Sequence, residues 1–194
     1  MAQISRDSLW TLEHYARIRN QFRQEVMAHK RVRQVALGDH ITLFFEDEKT
    51  IRYQIQEMLR IEKTFEESGI QDELDAYNPL IPDGRNFKCT MMIEYPDPAQ
   101  RKVELAKLKG VEDRVYIQVE GREKVYAIAD EDLERENDEK TSSVHFMRFE
   151  LDDDMAAALK YGVALSMGVD HPYYTVKVDP VPAETRTALV KDLA

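Results

Sequence analysis

Between Tyr15 and Phe65 the apolar residues change period twice, which rules out an all-helical or an all-strand chain. Tyr15, Ile18, Phe22, Val26, His29 and Val32 recur at intervals of three and four, the spacing that gathers side chains on one face of a helix. Ser8 precedes this stretch and Gly38 closes it. In "HITLFFED" the spacing drops to two, with Ile41, Leu43 and Phe45 on one side of a strand. From Thr50, "TIRYQIQEMLRIEKTFEE" returns to helical spacing, with Ile51, Ile55, Met58, Glu62 and Phe65 in a stripe.

The same reading carries to the end of the chain. A short helix, "IQDELDAYN", is followed by the proline-constrained turn "PLIPDG". "NFKCTMMIEY" is a strand with Phe87, Cys89, Met91, Ile93 and Tyr95 on one face, so Cys89 is expected to be a packed side chain. Asp97 and Pro98 open a helix that Gly110 stops. "RVYIQV" and "KVYAIA" form a hairpin around Gly121 and Arg122. The charged stretch "DEDLERENDEKTSS" is expected to be a solvated, mobile loop leading into the strand "SVHFMRFE". Asp152–Asp154 start a helix, "MAAALKYGVALSMG", whose Ala and Gly content permits close packing. "YYTVKV" and "PAETRTALVKDL" are a last strand and a last helix. The sum is an α+β fold: a mainly antiparallel sheet of about six strands with several helices, two of them long and near the start. It is expected to be one domain over residues 1–194.

Charge and composition narrow the partners. Residues 1–38 hold seven Lys/Arg against three Asp/Glu, a surplus of +4, so the remaining residues carry −14 of the net −10. A basic first segment on an acidic body suits internal charge matching or a docking surface. General nucleic-acid binding is disfavoured by the overall acidity and by the lack of aromatics among Arg17, Arg19, Arg23, Lys30, Arg31 and Arg33. No apolar run approaches the roughly 20 residues of a membrane span. Nor does "MAQISRDSLWTLEH" read as a secretory signal. With one cysteine there is no internal disulfide, and a reducing, cytoplasmic setting is expected.

Several polar groups interrupt the apolar patterns. His145 shares a strand face with Met147, Phe149 and Leu151. It is either a core histidine satisfied by a backbone carbonyl or carboxylate, or a metal ligand or proton-transfer group. Arg148 and Glu150 lie on the opposite face, where an anion or a cross-strand pair would use them. Glu62 breaks the stripe of the second helix; buried, it would need a cation, a proton or donors. Glu25 and His29 are four residues apart and face the same way, a spacing that can chelate a metal or form a local pair. Arg52, Gln56 and Arg60, with Glu57 alongside, form a polar stripe for an anion, a partner subunit or solvent. The chain lacks a phosphate-binding glycine loop, a dinucleotide fingerprint, a Gly-x-Ser-x-Gly elbow and a zinc-protease motif. The paired Glu-x-x-His motifs of di-iron bundles are absent too.

Five stretches, "GDHITLFFEDEKTIRYQIQEMLRIEK", "IQDELDAYNPLIPDG", "CTMMIEY", "AIADEDLER" and "EKTSSVHFMRFEL", resemble in order and spacing a bacterial family catalogued as domain of unknown function 3501. The resemblance runs from about Arg17 to Leu151 and is looser after Asp152. The family's motif positions correspond here to Arg52, Gln54, Glu57, Arg60, Glu62, Tyr77, Asn78, Asp83, Asp130 and His145. Its members are often encoded beside rubrerythrin-like proteins and iron–sulfur oxidoreductases. That implies a place in redox or oxidative-stress metabolism.

Two expectations follow. One is a pocket near His145, with Glu57, Arg60, Glu62, Arg52 and Arg148 as ligand-binding groups. It would take a small molecule, or iron, manganese or zinc held by His145, Glu62, His29 and Glu25. The other is a non-catalytic subunit that docks an iron–sulfur or rubrerythrin-like protein, or a second copy of itself. Whether the chain is an enzyme is left open by its residues.

Overall fold

The computed structural model describes residues 3–194. Helix α1 (Leu12–Arg31) begins where the Thr11 hydroxyl accepts the His14 N–H at 3.2 Å. It stops at Arg31, short of Gly38, because Gln34–Leu37 form a strand, β1, with Val35 and Leu37 buried. A four-residue strand offers only two alternations, too few to stand out beside a helical pattern. Gly38, at φ +73°, instead turns the hairpin into β2 (Ile41–Phe45).

Helix α2 (Glu48–Glu62) starts at a reciprocal cap between Asp47 and Thr50. Ile51, Ile55 and Leu59 are its buried face. Lys63 takes the left-handed conformation and ends the helix, so Glu62 is exposed and Phe65 is 70% exposed. The expected apolar stripe thus stops one turn early. Trp10 and Phe22 meet edge to face at 4.9 Å, and Phe22 lies 6.1 Å from Tyr53, joining α1 to α2. Helix α3 (Glu67–Tyr77) and strand β3 (Asn86–Ile93) follow as the pattern predicts, and Cys89 is buried with its thiol pKa pushed up by burial. Helix α4 (Pro98–Lys107) has the expected Asp97 cap.

Strands β4 (Val115–Val119) and β5 (Lys124–Tyr126) make the expected hairpin. The stretch "KVYAIA" nevertheless divides, because Ile128–Ala129 form β6 and pair with β7 (Val144–Glu150) in a different sheet. Helix α5 (Asp153–Lys160) is shorter than expected. Gly162, at φ +96°, breaks it, and Leu165–His171 become strand β8. Both faces of β8 are buried, so its sequence shows no alternation and reads like a packed helix. Strand β9 (Tyr174–Val178) and helix α6 (Ala183–Val190) complete the chain.

The nine strands of the described residues form two antiparallel sheets, β1-β2-β3-β7-β6 and β5-β4-β8-β9, where one sheet of about six was expected. The inner faces of both share one core, with Leu43, Phe45, Phe87, Met91 and Phe149 from the first and Ile117, Met167 and Val169 from the second. Burial of each such side chain contributes about 1.5–3 kcal/mol. A second cluster joins α2 to α3 through Ile51, Ile55, Leu59, Ile70 and Leu74. Among the described residues, no helix is long and apolar enough to cross a membrane.

Two features constrain this arrangement further. Gly168 in β8 faces the Tyr116 ring across the sheet, and a Cβ there would lie 2.5 Å from both the Tyr116 hydroxyl and the Val176 carbonyl oxygen. The carbonyl is backbone and cannot swing away. Gly168→Ala is therefore expected to destabilise the fold by about 1–3 kcal/mol in urea titration.

Arg33, 2% exposed, gathers four partners. Its guanidinium donates to the carbonyls of Phe45 at 3.2 Å, Glu46 at 3.1 Å and Ala188 at 3.1 Å, and pairs with Asp192. Burial pushes the Asp192 carboxyl up to about 6 against the opposing pull of Arg33.

Candidate functional site

The alternation of β7 puts His145 on the inner face with Met147 and Phe149, fully buried. Asp130 reaches it from the residue after β6. Its backbone sits at φ +52°, a left-handed conformation that Asp tolerates better than most residues. The Asp130 N–H donates to the Phe146 carbonyl at 2.8 Å, and Oδ1 accepts from the Phe146 N–H at 3.0 Å and from Arg135 at 3.2 Å. Oδ2 is left 2.6 Å from His145 Nδ1. A carboxylate with this many constraints holds the imidazole plane as well as its own.

The other ring nitrogen faces the end of the charged loop. Nε2 lies 3.0 Å from the Ser142 carbonyl and 3.1 Å from Thr141 Oγ1. Thr141 Oγ1 in turn donates to Glu112 Oε2 at 3.4 Å. Glu112 comes from a short 3-10 turn, Glu112–Arg114, and is buried. One ligand atom each from Glu112, Asp130 and His145 lie within 4.8 Å of one another.

The loop that carries Asp130 and Thr141 is largely solvent-exposed, as expected, but it is anchored at several points. Arg135 binds Asp132 and Asp130 and covers the Phe146 ring at 4.6 Å. Glu136 accepts the Gly110 N–H at 2.7 Å, and the Thr141 N–H donates to Leu105 at 3.2 Å. The Arg135 pair holds the Asp132 carboxyl down at about 2. Burial raises the Glu112 carboxyl, and the neighbouring His145 opposes that rise. Above the cluster opens a pocket of about 500 Å³ that includes Glu112, Asp130, Asp132 and Glu136, with Arg135 as its one cationic lining residue. Such a mouth draws cations and repels anions.

The order hydroxyl, imidazole, carboxylate from Thr141 through His145 to Asp130 matches a nucleophilic triad. The chemistry does not follow, because Thr141 is 1% exposed and does not line the pocket. What the arrangement can do is hold a cation or a proton between a buried carboxylate, a half-buried one and an imidazole.

The other polar groups of the sequence lie elsewhere. Glu57, Arg60 and Arg52 belong to α2, which covers the outer face of the first sheet, whereas His145 points to the inner face. The sheet separates them. Glu62 is exposed near the end of α2 and is not brought to His145. Arg52 binds Glu48 and the Ser8 carbonyl. Arg148 is held by Glu131 at 2.6 Å and by Glu150. His29 pairs with Asp47 at 2.5 Å and Glu25 with Lys49 at 3.7 Å, so the two do not converge.

Glu57 has a network of its own. It accepts from Tyr15 at 2.7 Å, from Arg19 at 2.7 and 2.9 Å, and from Arg60 at 3.1 Å. The Arg19 hydrogen bonds, opposed by burial and helped by Arg60 and Tyr15, hold its carboxyl at about 2. Because that lies below the ordinary 4.5, the stability it contributes is present above pH 4.5 and is lost as pH falls toward about 2. Glu57→Gln should cost about 1–2 kcal/mol at neutral pH, a value discounted for the partial exposure of the two arginines. The cost should vanish in acid, as thermal melts across that range would show.

Two antiparallel sheets around one core, with a buried carboxylate–imidazole cluster at one edge, define the class: an α+β protein with an acidic, histidine-containing site. The chain belongs to the family described as "Protein of unknown function (DUF3501)", whose profile matches residues 3–193. That match extends well beyond the quoted stretches, through α5 and α6. A crystal structure titled as a novel protein of unknown function from Burkholderia pseudomallei K96243 is similar at 55% identity over 100% of both chains, with a TM-score of 0.95. No curated protein matches the chain.

Proposed function

We propose that this chain is a divalent-cation protein of redox metabolism. Glu112 and His145 are the ligands, and Asp130 is the carboxylate that orients the imidazole. The observation that carries this reading is the convergence of Glu112, Asp130 and His145, from three separate segments, to within 4.8 Å beneath an acidic mouth. Glu112 is buried, and Asp130 is half-buried and already paired with Arg135, so beside the imidazole it is the Glu112 charge that a cation offsets. Nitrogen and oxygen donors in this mixture suit zinc, manganese or ferrous iron. The Asp130–His145 pair has the form of the carboxylate–histidine unit that raises ligand basicity in metal sites. The redox setting rests on the genomic association that the family resemblance implies, which favours iron or manganese.

The test is elemental analysis of protein purified anaerobically without chelator, followed by calorimetric titration with Mn²⁺ and Zn²⁺. Near-stoichiometric binding that Glu112→Gln weakens at least tenfold supports the reading, because this variant keeps the side-chain shape while removing the charge. Absence of metal, with no heat on titration, would leave a proton as the occupant of the cluster and overturn it.

A further inference from the structure

A second cavity, of about 660 Å³, lies on the other side of the first sheet, between its outer face and the helices α1 and α2. Phe44, Met92, Val144 and Phe146 form its floor, and Met27 and Ile51 face them from the helices. Val144 and Phe146 flank His145 in sequence, but the strand alternation turns them away from it. This cavity is therefore separate from the acidic cluster. Its volume falls within the roughly 300–1,000 Å³ of small-molecule sites.

The polar groups around this apolar floor are unevenly committed. The one carboxylate, Glu46, is already taken: Oε2 accepts the Thr50 hydroxyl at 2.5 Å and Oε1 the Thr90 hydroxyl at 2.9 Å. The side chains of Lys30, Arg31, Gln34 and Gln54 also line the cavity, and none enters a hydrogen bond or ion pair with the described residues. Free capacity at this site is thus two cations and two carboxamides. A neighbouring cavity of about 590 Å³ shares the lining residues Tyr77, Leu80 and Phe146 with it. An apolar floor with two unpaired cations among its lining suits a ligand with an apolar chain and an anionic head.

We propose that this cavity binds a medium-chain fatty carboxylate, its chain along Phe44, Met92, Val144 and Phe146 and its carboxylate at Lys30 and Arg31. Hydrophobic burial supplies the affinity, and the cations select an anion over a neutral chain. The cation site at Glu112 and His145 plays no part, so the two readings stand or fall separately.

The experiment is calorimetric titration of the full chain with decanoate, decanol and benzoate. Decanoate should bind saturably, at least tenfold more tightly than benzoate. The double variant Lys30→Glu, Arg31→Glu should weaken decanoate at least tenfold while leaving decanol within twofold. Val144→Trp, which fills the floor, should remove both chains from the cavity. If that variant melts early, Met92→Trp at the more exposed end provides the same block. No heat with decanoate, stronger binding of benzoate, or wild-type affinity in both blocking and charge-reversed variants would each overturn the proposal.

Discussion

Arg33→Ala is expected to lower the unfolding free energy by about 3–5 kcal/mol, the cost of removing one partner from a buried ion pair. For a chain of this size that corresponds to a fall in melting temperature of roughly 10 °C. Arg33 and Asp192 are 2% and 3% exposed, so water cannot replace what the guanidinium supplies. Its loss orphans the carbonyls of Phe45, Glu46 and Ala188 and leaves the Asp192 carboxylate buried without its cation. Protonation of Asp192 limits the cost in acid, so the loss should grow with pH.

Asp192 itself supplies the control. Its folded pKa of about 6 exceeds the ordinary 3.8, so the native state holds this proton more tightly than the unfolded one. The stability it adds is complete below pH 3.8 and disappears as pH rises through about 6. Asp192→Asn keeps an oxygen for Arg33 and should flatten stability across that window, with a smaller loss than Arg33→Ala. Urea denaturation between pH 4 and 8 separates these behaviours. An Arg33→Ala protein as stable as the parent at neutral pH would mean that the guanidinium does not hold the end of β2 to the C-terminal segment.

The second large effect is expected at the acidic cluster. Asp130→Asn should reduce cation affinity about 10–100-fold with little change in stability. Asn accepts the left-handed backbone of this position, and its amide oxygen can still take the Phe146 N–H now bound by Oδ1. What it cannot do is face His145 Nδ1 with a full negative charge at 2.6 Å. His145→Ala, which removes a ligand, should take binding below detection in the same calorimetric assay. Asp130→Asn with parental affinity would show that the cation, if bound, does not depend on the imidazole.

Much of the architecture was legible because periodicity is a local property. The helical faces of α1 and α2, the strand faces of β2, β3 and β7, and the helix starts at Asp97 and Asp152 all depend on residues within a few positions of one another. The errors share a cause. β1 is too short to show alternation, and β8 is buried on both faces. "KVYAIA" splits because its halves pair with strands of different sheets. In each case a neighbour distant in sequence decides the conformation.

The candidate site divides along the same line. That His145 would face the core followed from its place among Met147 and Phe149, and Asp130 was marked by resemblance to the family. Glu112 carried no signal beyond being an acid between Val111 and Val115. Its role depends on the geometry of the 3-10 turn Glu112–Arg114 and on the path of the charged loop, whose anchors at Gly110 and Leu105 are far from the loop in sequence. Glu57 and Glu62 looked equally suited to meet His145, yet α2 packs on the other face of the sheet.

The sequence by itself therefore determined the elements, their buried faces and the presence of ionisable groups among apolar ones, since period and capping act over one or two turns. Only the tertiary structure decided which of those groups meet. A sheet has two sides, and the pairing of distant strands with the covering of each face by particular helices assigns Glu112 and Asp130, not Glu57 and Glu62, to the side where His145 lies.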